Sequence, residues 1–240
     1  MLHRAAYAAL QLDWRYDAIE LTAAELPAFL DGLDNSWGGL SLTMPLKQAV
    51  LPLLSSSSEL VRQVAAANTV LLPARRGENT DVVGIVNALA EAGIRRVSRA
   101  VVLGGGATAR SALAALAALG CRTPTLVVRS PPDETLAAAA RLGVAPIVSA
   151  WEPAALVGCD LLLSTVPAGA ADPFAPYVAD VPVLLDVVYD PWPTLLAASC
   201  GGIVVGGAAM LLHQAAAQVA LMTGREVPLE PMRAALKQTG

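Results

Sequence analysis

The sequence has 240 residues, a net charge of −4, 55% hydrophobic residues and only 4% aromatic residues. Its length allows one large domain or two modest ones, and the lack of a basic stripe argues against nucleic acid as a partner. A core of alanine, leucine and valine favours helices packed on a parallel sheet.

The first eighty residues predict a small α/β region. Alternating side chains predict a strand over residues 14–21, and Thr22-Ala23-Ala24-Glu25 predicts a capping box that opens the next helix. Pro45 is typical of a helix start and places Lys47 in the first turn. The other predicted elements are a helix over 2–12, a strand over 37–43, a polar break over 55–58 followed by a helix, and a strand over 68–72.

The middle of the chain alternates between helical and strand patterns. Helices are predicted over 81–92 and 111–119, and strands over 99–103, 125–128, 160–164 and 183–186. This βαβ alternation is typical of a doubly wound fold with a parallel sheet.

Residues 191–224 are uncharged and long enough to cross a bilayer. Prolines and glycines interrupt them, so they never supply the ~20 unbroken apolar residues of a span. We expect a buried strand followed by a packed helix over 208–222, then a last helix over 229–237. No membrane partner is therefore expected.

These patterns predict an α/β protein of two lobes. Residues 1–80 with 208–240 would form an α/β substrate lobe, and 81–207, including a connecting helix over 81–93, a Rossmann-like doubly wound parallel sheet lobe. We expect no secretion signal. Three widely spaced cysteines fit reduced thiols in the cytoplasm better than disulfides or a metal site, and we expect no metal.

A glycine-rich segment, Gly104-Gly105-Gly106-Ala107-Thr108-Ala109, follows one predicted strand and precedes a helix. Glycines let the backbone approach a pyrophosphate, and the helix start supplies free N–H groups. The alternative is a plain tight turn, but the strand–helix context favours a dinucleotide site.

Arg129 ends the next predicted strand. A carboxylate at this position suits the ribose hydroxyls of NAD, whereas an arginine suits the 2′-phosphate of NADP. Arg129 therefore predicts NADP, with NAD possible, unless it is simply a solvated side chain.

Lys47 and Asp81 each lie in a short, dense motif, Ser41-Leu42-Thr43-Met44-Pro45-Leu46-Lys47 and Gly77-Glu78-Asn79-Thr80-Asp81. Taken separately, Lys47 would be a surface lysine and Asp81 a carboxylate favoured by a helix dipole. Occurring together with the glycine turn, they indicate an oxidoreductase acting on an alcohol or carbonyl.

The order of the motifs resembles the shikimate dehydrogenase family over nearly the whole chain, and the stretch Tyr189-Asp190-Pro191-Trp192-Pro193-Thr194 looks most like actinobacterial members. Further similar segments are 2–7, 67–70, 164–169, 186–191 and 210–215. The resemblance implies reversible reduction of 3-dehydroshikimate to shikimate with NADPH.

The resemblance also implies the site residues. Lys47 and Asp81 would be catalytic, with the lysine donating the proton to the carbonyl oxygen. Substrate contacts are implied for Thr43, Asn68, Asp81, Gln214 and Tyr189. Cofactor contacts are implied for Gly104, Gly105, Gly106, Ala107, Thr108, Arg129, Ser130, Thr165, Val166, Pro167, Val187, Gly207 and Met210.

Three departures from the family pattern stand out. The family has a strand and a Ser-x-Ser-Pro loop before its first helix, whereas Met1 directly precedes the helix here. Without that strand we expect unpaired backbone groups in its neighbours. We expect either that the natural start lies further upstream or that this is an impaired paralogue. Ser41 replaces a frequent asparagine, and Asp133 stands where a second basic residue often holds the 2′-phosphate.

Alternatives remain open. A quinate/shikimate dehydrogenase using NAD would share these motifs, as would a non-catalytic ligand-binding paralogue. The methylenetetrahydrofolate dehydrogenase class has a tyrosine four residues before the lysine, where this chain has Thr43. The sequence leaves a monomer or a homodimer equally open.

Overall fold

The computed structural model describes residues 1–130 and 132–237. The chain forms two compact units, one made of Met1–Gly84 with the chain from Leu212 onward, the other of Ile85–Leu211. In the described ranges, no helix is both long enough and apolar enough to cross a bilayer.

The first unit combines short strands with several helical segments. Its strands are β1 (Gly39–Ser41), β2 (Ser56–Ser57), β3 (Thr69–Leu71) and β4 (Arg76–Glu78), in the sheet order β1-β3-β4-β2. Its helices are α1 (Leu2–Ala9), α2 (Leu26–Asp31), α3 (Leu46–Ala49), α4 (Glu59–Val64), the start of α5 (Asp81–Glu91), and later the end of α9 (Gly207–Thr223) and α10 (Leu229–Lys237), with a 3₁₀ turn at Leu51–Leu53. β3 pairs antiparallel with β1 and β4, while β2 runs parallel to β4.

An apolar cluster holds this unit together. It joins one face of α2 to the sheet and to α4 through Leu30, Leu40, Val61 and Val70, each at most 9% exposed. Helices α1 and α10, from opposite ends of the chain, also pack together.

The predicted strand over residues 14–21 is wrong, because no strand forms there in the described structure. The aromatic residues of this segment pack on α1 instead: Tyr16 stacks on His3 at 4.0 Å between ring centroids, and Trp14 meets Tyr7 edge-on at 5.5 Å. β1 pairs with β3 only, and a cavity of about 520 Å³ lies between β1 and residues 13–21. The alternation therefore reflects ring packing, not a strand ladder.

The second unit is built on a six-stranded parallel sheet in the order β10-β9-β8-β5-β6-β7. Its strands are β5 (Ala100–Leu103), β6 (Thr125–Val127), β7 (Ile147–Ser149), β8 (Leu161–Ser164), β9 (Val183–Asp186) and β10 (Ile203–Gly206). The helices α6 (Ala107–Ala118), α7 (Asp133–Arg141) and α8 (Leu195–Ser199) and two 3₁₀ segments, Pro153–Leu156 and Asp172–Tyr177, connect them.

The central strands β5, β8 and β9 are buried at every residue, as expected for parallel strands covered on both faces. The predicted buried strand after residue 191 is β10, which is an edge strand, and its Ile203 is 47% exposed. Chain order reverses between β5 and β8. In open α/β sheets, ligands bind beyond the carboxyl ends of strands at such a reversal.

The predicted polar break over 55–58 is wrong, because it contains β2, which pairs with β4. Most other predicted elements differ from the structure at their ends. The first helix ends at Ala9, and the strand predicted over 37–43 contains only Gly39–Ser41. The capping-box prediction is wrong in its bounds: Glu25 accepts hydrogen bonds from the N–H and hydroxyl of Thr22, but the helix begins after it, at Leu26.

Candidate functional site

Lys47 and Asp81 meet in the first unit. The Lys47 Nζ donates to Asp81 Oδ2 at 2.6 Å, and the two side chains are only 15% and 5% exposed. They are 34 residues apart in sequence. The site therefore contains a tight, nearly buried amine–carboxylate pair, which can pass a proton to a group placed beside it.

Local structure fixes both partners of this pair. Asp81 opens α5, where the helix dipole favours a carboxylate. The Asn79 side chain caps that helix, since its Oδ1 accepts from the N–H groups of Asp81 at 3.0 Å and Val82 at 3.4 Å. The carbonyl of Lys47 accepts from the Ala67 N–H at 2.8 Å, so α3 is tied to the chain entering β3.

Asn68 is the centre of the hydrogen-bond network around this pair. Its Nδ2 donates to Asp81 Oδ1 at 2.8 Å and to Gln214 Oε1 at 3.3 Å. Its Oδ1 accepts from the Thr80 N–H at 2.8 Å. Asn68 is 1% exposed. The predicted residues Lys47, Asn68, Asp81 and Gln214 thus lie together in one network.

Gln218 was not predicted from the sequence, although its side chain hydrogen-bonds the backbone of Asn68. Its Nε2 donates to the Asn68 carbonyl at 3.0 Å and to Thr69 Oγ1 at 3.1 Å, and its Oε1 accepts from the Ser41 hydroxyl at 2.9 Å. The available signal was its spacing of four residues from Gln214, which places both amides on one face of α9.

The side chain of His3 contacts this network through Ser41. Its Nε2 lies 3.4 Å from Ser41 Oγ, and the ring is 5% exposed. Burial lowers the pKa of His3 to about 4, against a smaller opposing effect of its hydrogen bond to Gln218. His3 is therefore a neutral structural group at physiological pH.

Two predicted substrate residues are not part of this network. Thr43 is exposed, and its carbonyl accepts from the Leu46 N–H at 2.8 Å, which shapes the turn into α3. Tyr189 belongs to the second unit and is 56% exposed.

The glycine turn lies between β5 and α6 in the second unit. Gly104 has φ +109°, and a Cβ there would lie 2.7 Å from Thr165 Oγ1, so glycine is required. A Cβ on Gly106 would meet no described atom within 4 Å. Gly106 is the N-cap of α6 and has no side chain, so the first N–H groups of this helix, including those of Ala107 and Thr108, have no side-chain cap. A pyrophosphate fits such a backbone cradle.

Neighbouring segments brace this turn. The Thr165 hydroxyl donates to the Leu103 carbonyl at 2.7 Å, which fixes the loop holding Val166 and Pro167 after β8. The buried Thr135 of α7 donates to the Gly105 carbonyl at 2.6 Å. Thr135 was not anticipated from the sequence.

Arg129 and Ser130 follow β6 beside the turn. The guanidinium carbon of Arg129 lies 4.6 Å from the ring centroid of Trp151, and its Nη2 donates to the Ala170 carbonyl at 3.1 Å. A cavity of about 270 Å³ is lined by these residues together with Gly104, Gly105, Val166 and Pro167.

The remaining predicted cofactor residues lie near the carboxyl end of β9. A Cβ on Gly207 would lie 2.1 Å from the Val187 carbonyl, so only glycine allows this close crossing of two backbones. Met210, one turn further along α9, is 7% exposed.

Comparison with known proteins decides the family. A 33% identity extends over 99% of this chain and 88% of the shikimate dehydrogenase (NADP(+)) of Moorella thermoacetica. The chain belongs to the shikimate dehydrogenase family. The family models agree, since the shikimate dehydrogenase substrate binding domain matches residues 1–70 and the shikimate 5′-dehydrogenase C-terminal domain matches residues 207–237.

Solved structures of shikimate dehydrogenases share this two-unit fold. The Mycobacterium tuberculosis shikimate dehydrogenase is similar with a TM-score of 0.90 and 41% identity, over 99% of this chain and 93% of that one. The Thermus thermophilus shikimate 5-dehydrogenase, solved in complex with NADP(H) and shikimate, has a TM-score of 0.86 and 29% identity, over 99% and 92%.

Proposed function

We propose that this chain catalyses the reversible, NADP-dependent reduction of 3-dehydroshikimate to shikimate. The observation that carries the proposal is the 2.6 Å pair of Lys47 and Asp81, nearly buried in a network of side-chain amides and hydroxyls. Family membership supplies the substrate class, and the amine–carboxylate pair supplies the acid–base chemistry that the reaction needs.

The chemistry divides between the cofactor and the chain. A nicotinamide bound beside the substrate would supply the hydride for the carbonyl carbon. Lys47 Nζ would supply the proton for the carbonyl oxygen, so that the C=O double bond would become a single bond with one new C–H and one new O–H. Asp81 holds the ammonium in place through the 2.6 Å hydrogen bond. In the oxidative direction, Lys47 receives the hydroxyl proton.

Substrate hydroxyls would be held by the polar side chains around this pair. Asn68 and Gln214 already hydrogen-bond one another at 3.3 Å, and a ring hydroxyl can replace that contact at little cost. Thr43 and Tyr189 are both exposed and therefore accessible to substrate. Within the first unit, Thr43, Asn68 and Gln214 would hold the ring so that the carbonyl oxygen lies at Lys47.

The second unit would hold the cofactor. Gly104, Gly105, Gly106, Ala107 and Thr108 would cradle the pyrophosphate, and Arg129 with Ser130 would bind the ribose end. The nicotinamide end would be lined by Thr165, Val166, Pro167, Val187, Gly207 and Met210. A location in the cytoplasm and a monomeric or homodimeric state remain predictions from the sequence.

One observation favours a second candidate, a quinate/shikimate dehydrogenase using NAD. α7 begins with Asp133, four residues after Arg129, and a carboxylate close to a phosphate disfavours it, whereas the carboxylate of Glu134 pairs with Arg110 at 3.2 Å. The intact Lys47–Asp81 pair argues against the remaining alternative, a non-catalytic paralogue.

The test is nicotinamide absorbance with shikimate and NADP⁺, then with quinate, then with each substrate and NAD⁺. We expect turnover of shikimate with NADP⁺ that is lost in Lys47→Ala and strongly reduced in Asp81→Asn, which keeps the shape of the side chain but removes its charge. Turnover of quinate with NAD⁺ at the higher rate would favour the second candidate. Folded protein that is inactive with all four pairs would contradict both.

A further inference from the structure

The Arg129 guanidinium is held on one face and at one edge. Trp151 covers its face at 4.6 Å, and the Ala170 carbonyl accepts one Nη2 hydrogen at 3.1 Å. In the described chain it has no carboxylate partner within ion-pair distance, although the side chain is exposed. A cation without a carboxylate, held by a ring and a carbonyl, keeps its other in-plane N–H groups for an anion.

Trp151 is itself firmly placed. It follows β7 by two residues and meets the buried ring of Phe174 edge-on, with 4.9 Å between centroids and 86° between planes. Its Nε1 is buried and has no hydrogen-bond partner in the described structure. Indole N–H groups usually find a partner when buried, so hydrogen bonding does not explain why an indole occupies this position.

The position of Trp151 in the sheet explains its neighbourhood. β5, β6 and β7 are adjacent and parallel, so their carboxyl ends share one edge. The residues that follow them are Gly104, Arg129 and Trp151. These three line the same 270 Å³ cavity, which places the Arg129–Trp151 stack beside the cradle at the ribose end.

We propose that Trp151 is a specificity-determining positioning residue, which selects NADP over NAD by holding the Arg129 guanidinium against its indole face. The inference rests on the proposed function. A free arginine must give up much rotamer freedom when it binds a phosphate, whereas a stacked one has already lost it. Because the indole touches only the guanidinium face, the stack orders the cation without occupying its edge.

A plain packing role for Trp151 makes a different prediction. If the ring only fills space over Phe174, its loss should weaken every adenine nucleotide equally. If it holds Arg129, its loss should weaken only ligands that carry a 2′-phosphate. The pair 2′,5′-ADP and 5′-ADP differs in that group and needs neither substrate nor nicotinamide.

The experiment is calorimetric titration of both nucleotides into the wild type, Trp151→Phe and Trp151→Leu. Leucine fills the position with apolar volume but has no aromatic face, whereas phenylalanine keeps one. We expect Trp151→Leu to weaken 2′,5′-ADP about fivefold, the scale of one exposed cation–π contact, with 5′-ADP changed less than twofold. Trp151→Phe should restore most of the difference.

A second readout keeps the test independent of any loss of stability. The fluorescence of Trp151, isolated as wild type minus Trp151→Phe, should change on binding 2′,5′-ADP and far less on 5′-ADP. Trp192→Phe, a change to a half-exposed tryptophan of the same unit, serves as the matched control and should leave both affinities unchanged.

Each outcome has one meaning. Equal weakening of both nucleotides in Trp151→Leu, or no weakening of either, would overturn the role of Trp151 while leaving the NADP assignment intact. A wild type that binds both nucleotides equally would overturn the NADP assignment and the inference with it. Turnover of shikimate with NAD⁺ would then test the rest of the proposed function.

Discussion

The two units build their sites from different parts of the polypeptide. In the first unit, side chains do the work: Lys47, Asn68 and Asp81 are nearly buried and hydrogen-bond one another. In the second, the turn at Gly104 and Gly106 presents backbone at the start of α6, with the side chains of Arg129 and Trp151 beside it. A side-chain site should therefore respond to changes of charge and polarity, whereas a backbone site should respond to added bulk.

The largest effect is expected from Lys47→Arg in the first unit. Arginine keeps the positive charge opposite Asp81 but does not release a proton at working pH. We expect kcat to fall by about 10²–10⁴, the usual contribution of general acid–base catalysis, with little change in Tm. Lys47→Met should lose the charge as well and unpair the buried Asp81 carboxylate, so it should also lower Tm. Near-normal kcat in Lys47→Arg would mean that Lys47 acts only through its charge.

The His3 side chain gives the same unit a pH dependence. Its pKa is about 4 when folded and 6.5 when unfolded, so the unfolded state binds a proton more readily between these values. His3 therefore contributes full stability above pH 6.5, and this contribution is lost as the pH falls toward 4, by on the order of 3 kcal/mol in total.

Urea unfolding of the wild type and of His3→Phe across this range would measure the effect. Phenylalanine keeps a ring to stack on Tyr16 but does not titrate, so its curve should be flatter between pH 6.5 and 4. Parallel curves for the two proteins would show that His3 gains a proton without cost in the folded state.

Two glycine substitutions separate fold from binding in the second unit. Gly104→Ala forces a side chain into a positive φ and against Thr165, so we expect a loss of about 1–3 kcal/mol of stability. Gly106→Ala has φ −93° and meets no described atom, so Tm should hold. Its methyl group would enter the cradle, and we expect nucleotide affinity to fall about tenfold, or ~1.4 kcal/mol. Unchanged affinity in folded Gly106→Ala would place the pyrophosphate elsewhere.

The smallest expected effect comes from the support of the turn. Thr135→Val removes the hydroxyl that donates to the Gly105 carbonyl but keeps the shape of the side chain, and we expect a loss of about 1 kcal/mol in unfolding free energy. Thr135→Ser keeps the hydroxyl and serves as the control. Equal losses in both variants would assign the effect to packing of the methyl group.

The sequence was most informative where local signals agree. An apolar run predicted β5, three consecutive glycines predicted the turn, and an alanine-rich segment predicted α6. That Lys47 and Asp81 lie side by side could be expected only from the family resemblance, because no local pattern shows that residues 34 positions apart come into contact.

Long-range contacts account for what was missed. β4 is Arg76-Gly77-Glu78, a triplet with no strand propensity, and it forms because β3 and β2 pair on either side of it. Gln218 and Trp151 matter through partners far away in the sequence, at Asn68 and Arg129. The aromatic alternation at residues 14–21 misled for the same reason, since its partners lie on α1.

The discontinuity of the first unit has a consequence for synthesis on the ribosome. Gln218 supplies two of the hydrogen bonds around Asn68 and Thr69 from about 150 residues later in the chain. The sheet of the second unit is encoded entirely between these points, and domains generally fold as units as they emerge. The second unit can therefore fold while the hydrogen-bond network around Asn68 still lacks α9. The hydrogen bonds that Gln218 makes to Asn68 and Thr69 therefore form only after the whole parallel sheet has been synthesised.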